Sequence, residues 1–178
     1  MRIISGKYRG KKLKEFDLDS TKPTLDRVKE SIFNIIQFDI IDAVVLDLFA
    51  GTGALGIECV SRGANKTIFV DNNPQAVNII NDNLKGIDGE FLVKQMDYRS
   101  YLECNDEKFD IVLLDPPYMT DFGVKAIDYI INNDKLKSGG IIIFETSDEK
   151  VFDFDYTGYD IKKKKYGTVA VYKIVKEN

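Results

Sequence analysis

The sequence predicts a doubly wound α/β domain, and three features predict it. From residue 44 onward, apolar runs of buried-strand length alternate with helix-sized segments, the pattern of a parallel sheet covered on both faces. A glycine-rich turn, Gly51-Thr-Gly53-Ala-Leu-Gly56, joins the first such run to the segment that follows it. With 178 residues, the chain is long enough for one domain with a proper core and short for two.

Each element has its own local reason. Residues 2–5 and 11–16 read as two short strands around a turn flanked by Gly6 and Gly10, a small N-terminal β-hairpin. Pro23 opens a helix in which Val28, Ile32, Ile35 and Ile36 recur at helical spacing. Val44–Phe49 is a buried strand, and the glycine turn leads it into a helix ending near Ser61. Thr67–Val70 is the second strand, followed by a helix from Pro74 to about Leu84. Phe91–Val93, Phe109–Leu114 and Ile141–Phe144 are the next three, with helix-sized segments at 98–104 and 121–132. Helices cease after Thr146, and Tyr159–Tyr166 with Thr168–Val175 form a closing hairpin around Gly167. The expected product is a mostly parallel seven-stranded sheet with an antiparallel C-terminal hairpin. Residues 1–22 form its basic extension and residues 23–178 its main domain.

Composition removes several function classes. The chain has no histidine, which excludes Ser-His-Asp and Cys-His catalysis and any imidazole-based metal site, so no metal is expected. Its two cysteines, Cys59 and Cys104, are too few for a disulfide framework and read as packing residues in a reduced, cytoplasmic protein. No apolar run approaches the ~20 residues needed to cross a bilayer, and the N-terminus lacks an export signal. A monomer with no membrane partner is expected.

Charge is unevenly placed. Residues 1–14 hold six basic side chains and no acid, whereas the rest of the chain sums to −10 within a net charge of −4. A basic arm on an acidic body, interleaved with Tyr8, suits a polyanion approached from one side, and nucleic acid first among these. The competing explanation is a solvated charged edge.

The glycine turn by itself is shared by several cofactors. Asp71, 20 residues after Gly51, matches the acid that takes ribose hydroxyls in dinucleotide sites. Asp47 separates the possibilities. It stands at the end of the first strand, where a pyrophosphate docked on the next helix would meet a like charge. S-adenosylmethionine carries no phosphate, and its ammonium and sulfonium are favoured by an acid there. Asp97, with Tyr98, follows the third strand and can accept the hydrogen of an adenine amino group. All three acids fall at the carboxyl ends of parallel strands, where open α/β sheets bind ligands. Singly, each could equally be a helix N-cap. The S-adenosylmethionine contacts expected are Asp47, Phe49, Ala50, Gly51, Thr52, Gly53, Asp71, Asn72, Asp97 and Tyr98.

The fourth strand ends in Asp115-Pro-Pro-Tyr118. Two prolines stiffen the loop and expose carbonyls without amide hydrogens. Asp115 and the Pro116 carbonyl can hold both hydrogens of an exocyclic amine, beside Pro117, while Tyr118 stacks on the extruded base. In-line transfer then needs the amine lone pair aimed at an activated methyl, without a covalent intermediate. A plain strand-ending turn is the structural alternative.

With these residues assembled, the chain resembles the RsmD family, the bacterial 16S ribosomal RNA guanine-N2 methyltransferases, over nearly its whole length. The resemblance runs through Arg2-Ile-Ile-Ser-Gly-Lys-Tyr-Arg-Gly10, Thr21-Lys-Pro-Thr24, Asp26-Arg-Val-Lys-Glu30, Leu46 to Gly56, Ser61-Arg-Gly-Ala64, Asp115 to Tyr118 and Tyr166-Gly167. The glycine turn and Asp-Pro-Pro-Tyr are shared by many amino methyltransferases; the N-terminal blocks narrow the choice. It implies a Rossmann-like class I methyltransferase fold and methylation of a guanine N2 in 16S rRNA, within a small-subunit particle, leaving S-adenosylhomocysteine. It also implies phosphate contacts by Arg2, Lys7, Arg9, Lys11 and Lys12, with Arg27 beside the active site. Two departures stand out: Thr146 replaces a histidine common among relatives, and the segment from Tyr166 to Val171 is one residue shorter than usual. The other readings weighed are a DNA adenine-N6 methyltransferase, a dinucleotide-dependent oxidoreductase and an idle RNA-binding module.

Overall fold

A computed structural model describes residues 1–16, 23–147 and 155–177, with the side chains of 23–26 also outside the description. The boundary expected near residue 22 and the Thr21-Lys22 part of the resemblance lie outside the described residues. In chain order the elements are α1 (Pro23–Ile35), β1 (Val44–Asp47), α2 (Ala54–Ser61), β2 (Lys66–Asp71), α3 (Pro74–Leu84) and β3 (Glu90–Gln95). They continue with α4 (Tyr98–Cys104), β4 (Phe109–Leu114), α5 (Phe122–Asn132), β5 (Leu136–Ser147), β6 (Tyr159–Tyr166) and β7 (Val169–Lys176).

The seven strands lie in the order β3-β2-β1-β4-β5-β7-β6, the first five parallel and the last two antiparallel. The strand order reverses direction at β1 and β4, so a crevice opens beyond their carboxyl ends. Sequence periodicity explains the layers. Leu46, Ile68, Val112 and Leu114 project to one face and pack with Ala126, Ile127 and Ile130 of α5. Val45, Ile111, Leu113 and Ile143 project to the other and meet Val28, Ile32 and Phe33 of α1 and Ile36 just beyond it. Ile57 and Val60 of α2 join Phe69, Ile80 and Leu84, together with Ile3 and Leu13 of the arm.

Strand edges differ modestly from the sequence expectation. The first strand stops at Asp47, since Leu48 and Phe49 already turn toward the glycines, and the fifth begins at Leu136, ahead of an irregularity opposite Phe109 and Ile111. The closing hairpin is complete despite its short connection. Tyr166 pairs with Val169 across a two-residue loop in which Gly167 takes φ +62°, a conformation suited to a tight hairpin.

The N-terminal arm is narrower than the two strands expected. Residues 1–13 reverse direction through one antiparallel bridge, Arg2 to Lys12, with Ile3 and Leu13 amides bonded across it. The amides that would have extended the ladder are engaged by α2 instead. Ile4 and Ser5 donate to the Glu58 carboxylate at 2.8 and 2.9 Å, and Lys7 and Tyr8 donate to Ser61. Gly6 is required there, because a Cβ would sit 1.8 Å from the Ser61 carbonyl oxygen and its φ is +84°. Cys59 is buried as expected, whereas Cys104 is exposed on the short α4, its thiol 3.9 Å from the Met96 sulfur.

Candidate active site

The glycine turn is held by the two acids that flank it. Asp47, 1% exposed, accepts the Gly56 amide inside α2 at 2.8 Å. Asp71 accepts the Gly51 amide through one carboxylate oxygen and the Asn73 amide through the other, both at 2.8 Å. Gly53 caps α2 in the left-handed region, and Asn83 reaches from α3 to the Thr52 carbonyl. Ala50 closes the turn by donating to the Val70 carbonyl. Asp97 caps α4 through one oxygen, which accepts from Arg99 and Ser100. The capping alternative therefore holds for Asp97, yet its second oxygen makes neither of these bonds. Each acid keeps acceptor capacity, because a carboxylate offers about four lone-pair directions.

Two cavities open at this end of the sheet. One, of about 330 Å³, is bordered by Asp71, Asn72, Asp97, Tyr98, Met96 and Phe122 among others. Its aromatic wall is continuous: Phe49 lies 5.1 Å from Tyr98 between ring centroids, and Tyr98 lies 5.3 Å from Phe122. The other, of about 340 Å³, is bordered by Asp47, Ala50, Thr52, Leu55, Lys29 and Glu145 among others. Phe16, Phe49, Gly51 and Asp115 line both, so they form the wall at which the two spaces meet.

Asp115 stands on that wall at the end of β4. Its side chain is exposed toward the cavities, while dense protein behind it disfavours the ionised form and holds the carboxyl above the usual range. Pro116 is buried beneath it and Pro117 is exposed beside it. The loop stays rigid through a Thr120 hydroxyl that donates to the Pro117 carbonyl at 2.7 Å. Tyr118 is 55% exposed, as suits a stacking platform, and its hydroxyl is pushed up to about 12, first by burial and then by Glu145 and Asp115. Asp47 is pushed up to about 7, chiefly because it is buried; the Gly56 amide opposes that shift.

The acids, the glycine turn and Asp115 to Tyr118 thus converge, but the predicted phosphate contacts divide. Lys7 pairs with Asp88 at 2.9 Å, and Lys11 donates to the Lys85 carbonyl, so both are tied to the α3–β3 connection. Arg2 and Arg9 line a groove with Glu30 of α1, and Lys12 and Arg27 are exposed. Sequence reasoning missed Lys29, Glu145, Met96, Phe16 and Phe122 as cavity-lining residues. Lys29 is 3% exposed and paired with Glu58 at 3.1 Å, a burial that no local pattern around it declares.

The family model described as Conserved hypothetical protein 95 matches residues 1–175. Ribosomal RNA small subunit methyltransferase D of Haemophilus influenzae is 33% identical over 96% of this chain and 91% of that protein. The chain belongs to the RsmD family. The putative rRNA methyltransferase YlbH of Bacillus subtilis is 37% identical over 97% of this chain and 98% of that protein. The solved structure of Escherichia coli yhhF superposes with a TM-score of 0.89 at 30% identity, covering 99% and 98% of the two chains. The family's fold is therefore the class I methyltransferase fold described above. Among the described residues, no helix is long and apolar enough to cross a membrane.

Proposed function

We propose that this chain transfers a methyl group from S-adenosylmethionine to the exocyclic N2 amine of a guanine in small-subunit ribosomal RNA. The observation that carries the reading is the position of Asp115 on the wall shared by the two cavities, one suited to a nucleoside and one lined by acids. The named methyltransferase D relative supports the substrate class.

The residues present fit S-adenosylmethionine. Adenine would lie against the wall of Phe49, Tyr98 and Phe122, with the Asp97 oxygen accepting from its amine and Asp71 accepting from the ribose hydroxyls. Asp47 would face the cationic methionine end. The buried Asp47 and the acid-rich lining suit a cation, and would repel a pyrophosphate. When bound, S-adenosylmethionine supplies a methyl group already activated by its sulfonium.

The chain's own residues then do three things. Asp115 and the Pro116 carbonyl accept the two N2 hydrogens, which directs the nitrogen lone pair away from the loop and stabilises charge developing on that nitrogen, until one of those hydrogens passes as a proton to the Asp115 carboxylate. Tyr118 stacks on the base and keeps it out of its helix. The proline pair fixes both acceptors, so orientation costs little at the moment of reaction. Arg2, Arg9, Lys12 and Arg27, exposed on the arm and α1, would contact RNA phosphate.

The test is transfer of tritium from labelled S-adenosylmethionine to unmodified small subunits, free rRNA and DNA, with the products digested to nucleosides. N2-methylguanosine from the ribosomal samples is the expected result. Label in DNA adenine, or none anywhere, would overturn the proposal.

A further inference from the structure

Glu145 has no part in the roles above. It is 6% exposed at the end of β5 and lines the cavity that holds Asp47, Asp115 and Lys29. Among the described residues no hydrogen bond or ion pair engages its carboxylate, although buried carboxylates ordinarily find donors. Its position follows from the sheet. Leu114 pairs with Phe144 in the parallel register of β4 and β5, so the next residues, Asp115 and Glu145, emerge side by side. On its other flank Glu145 pairs with Val171 of β7, which fixes the strand.

We propose that Glu145 accepts the N1–H of the target guanine, and that this contact makes the site select guanine among bases bearing an exocyclic amine. The inference rests on the reading of Asp115 as the amine holder. Adenine, cytosine and guanine all present two amine hydrogens, and Asp115 with the Pro116 carbonyl would accept those from any of them. The bases differ in the neighbouring ring atom. Adenine N1 and cytosine N3 are acceptors, which a carboxylate repels; guanine N1 carries a hydrogen, which a carboxylate accepts. Three acceptors in one cavity thus match three consecutive donors on one edge of one base. A site built to bond a particular N–H rejects analogues lacking it far better than an apolar pocket rejects a shape.

Two carboxyls so close influence each other. Glu145 and Asp115 are both held above the ordinary range, first by burial and, for Glu145, also by the Asp115 charge. Other charged or titratable groups on this cavity or acting on the pair are Lys29 from α1, Asp47 from β1, Tyr118 from the loop after β4, and Glu15 with the Met1 ammonium from the arm. Of these, the Lys29 and Met1 ammoniums carry the opposite charge, and guanine's donors favour the ionised pair. Guanine methylation should therefore strengthen as the pair ionises with rising pH.

The experiment uses the full chain, unmodified small subunits and labelled S-adenosylmethionine held at saturation from pH 6 to 9, so that ionisation of Asp47 does not shape the profile. GMP, IMP and AMP serve as competitors of wild type, Glu145→Gln and Glu145→Ala, and a cofactor titration of each variant checks that the fold and cofactor site persist. IMP keeps the N1–H of guanine and lacks its amine; AMP lacks the N1–H. Wild type should be inhibited at least tenfold better by GMP and IMP than by AMP, and both variants should narrow that gap below threefold. Both should also lose at least tenfold in kcat/KM and flatten the rise with pH. Equal potency of the three nucleotides on wild type, or a gap and pH rise retained by both variants, overturns the role of Glu145 while N2-methylguanosine is still made. Absence of N2-methylguanosine from wild type overturns the underlying reading instead.

Discussion

Asp47 accepts the backbone amide of Gly56 at 2.8 Å, a contact that ties the end of β1 to the first turn of α2 across the glycine loop. Space at Gly56 is what permits it. A Cβ there would lie 2.3 Å from the Phe69 ring and 3.0 Å from the Asp47 carboxylate. Gly56→Ala should cost about 1–3 kcal/mol through overpacking and shift Asp47. Chemical denaturation reads the first effect, and a weakened S-adenosylmethionine titration reads the second.

Asp47 also predicts a pH dependence. Folding raises its carboxyl from 3.8 to about 7, so the empty protein prefers it protonated. Its contribution to stability is complete below about pH 4 and is lost as pH climbs through about 7. A cationic ligand prefers the ionised form, so cofactor affinity should run the other way, rising between pH 6 and 8 with release of a proton. Calorimetry in buffers of differing ionisation enthalpy would detect that proton. Asp47→Asn should abolish the release and weaken binding.

Asp115→Ala should lower transfer by about 10²–10³-fold, the size of effect seen when one preorganised acceptor or donor is removed from a reacting centre. Cofactor affinity should stay within about threefold, since Asp115 would touch the amine rather than the cofactor's anchoring groups. Turnover equal to wild type would remove Asp115 from the mechanism.

Glu58 is fully buried and bonded to Lys29, Arg62 and the amides of Ile4 and Ser5. Removing it takes the countercharge from the buried Lys29 and the acceptor from two amides of the arm. Glu58→Ala should cost about 3–5 kcal/mol, and hydrogen exchange at Ile4 and Ser5 should accelerate more than at the centre of β4.

The arm's lysines and arginines should not contribute equally to RNA affinity. Arg9 and Lys12 are exposed and, among the described residues, make no ion pair, whereas Lys7 is paired with Asp88. Arg9→Ala and Lys12→Ala should each reduce the slope of log affinity against log salt by about 0.7, and Lys7→Ala by less. A filter-binding series across salt concentrations measures all three. An unchanged slope in every variant would make the arm a solvated edge.

Much of this molecule is written locally. The bounds of α3 and α4 follow from Pro74 and from the N-capping Asp97, and the parallel strands from apolar runs that need cover on both faces. The acids lining the two cavities are legible for the same reason, since strand ends and glycine turns declare where an open sheet binds ligands. The arm was legible only as a chain reversal. Its amides had two competing sets of acceptors, and nothing in residues 1–16 indicates that Glu58 and Ser61, more than 50 positions away, would win.

The sequence by itself determined the order of elements, the glycine turn, and the Asp-Pro-Pro-Tyr loop, because each depends on periodicity or on backbone chemistry within a few residues. Only the tertiary structure decided which distant side chains share a cavity. Lys29 sits on a helix, Asp47 on β1 and Glu145 on β5, and the parallel register of β4 with β5 brings Glu145 beside Asp115. That register is a property of hydrogen bonds between strands, summed over the sheet, and no single segment of the chain carries it.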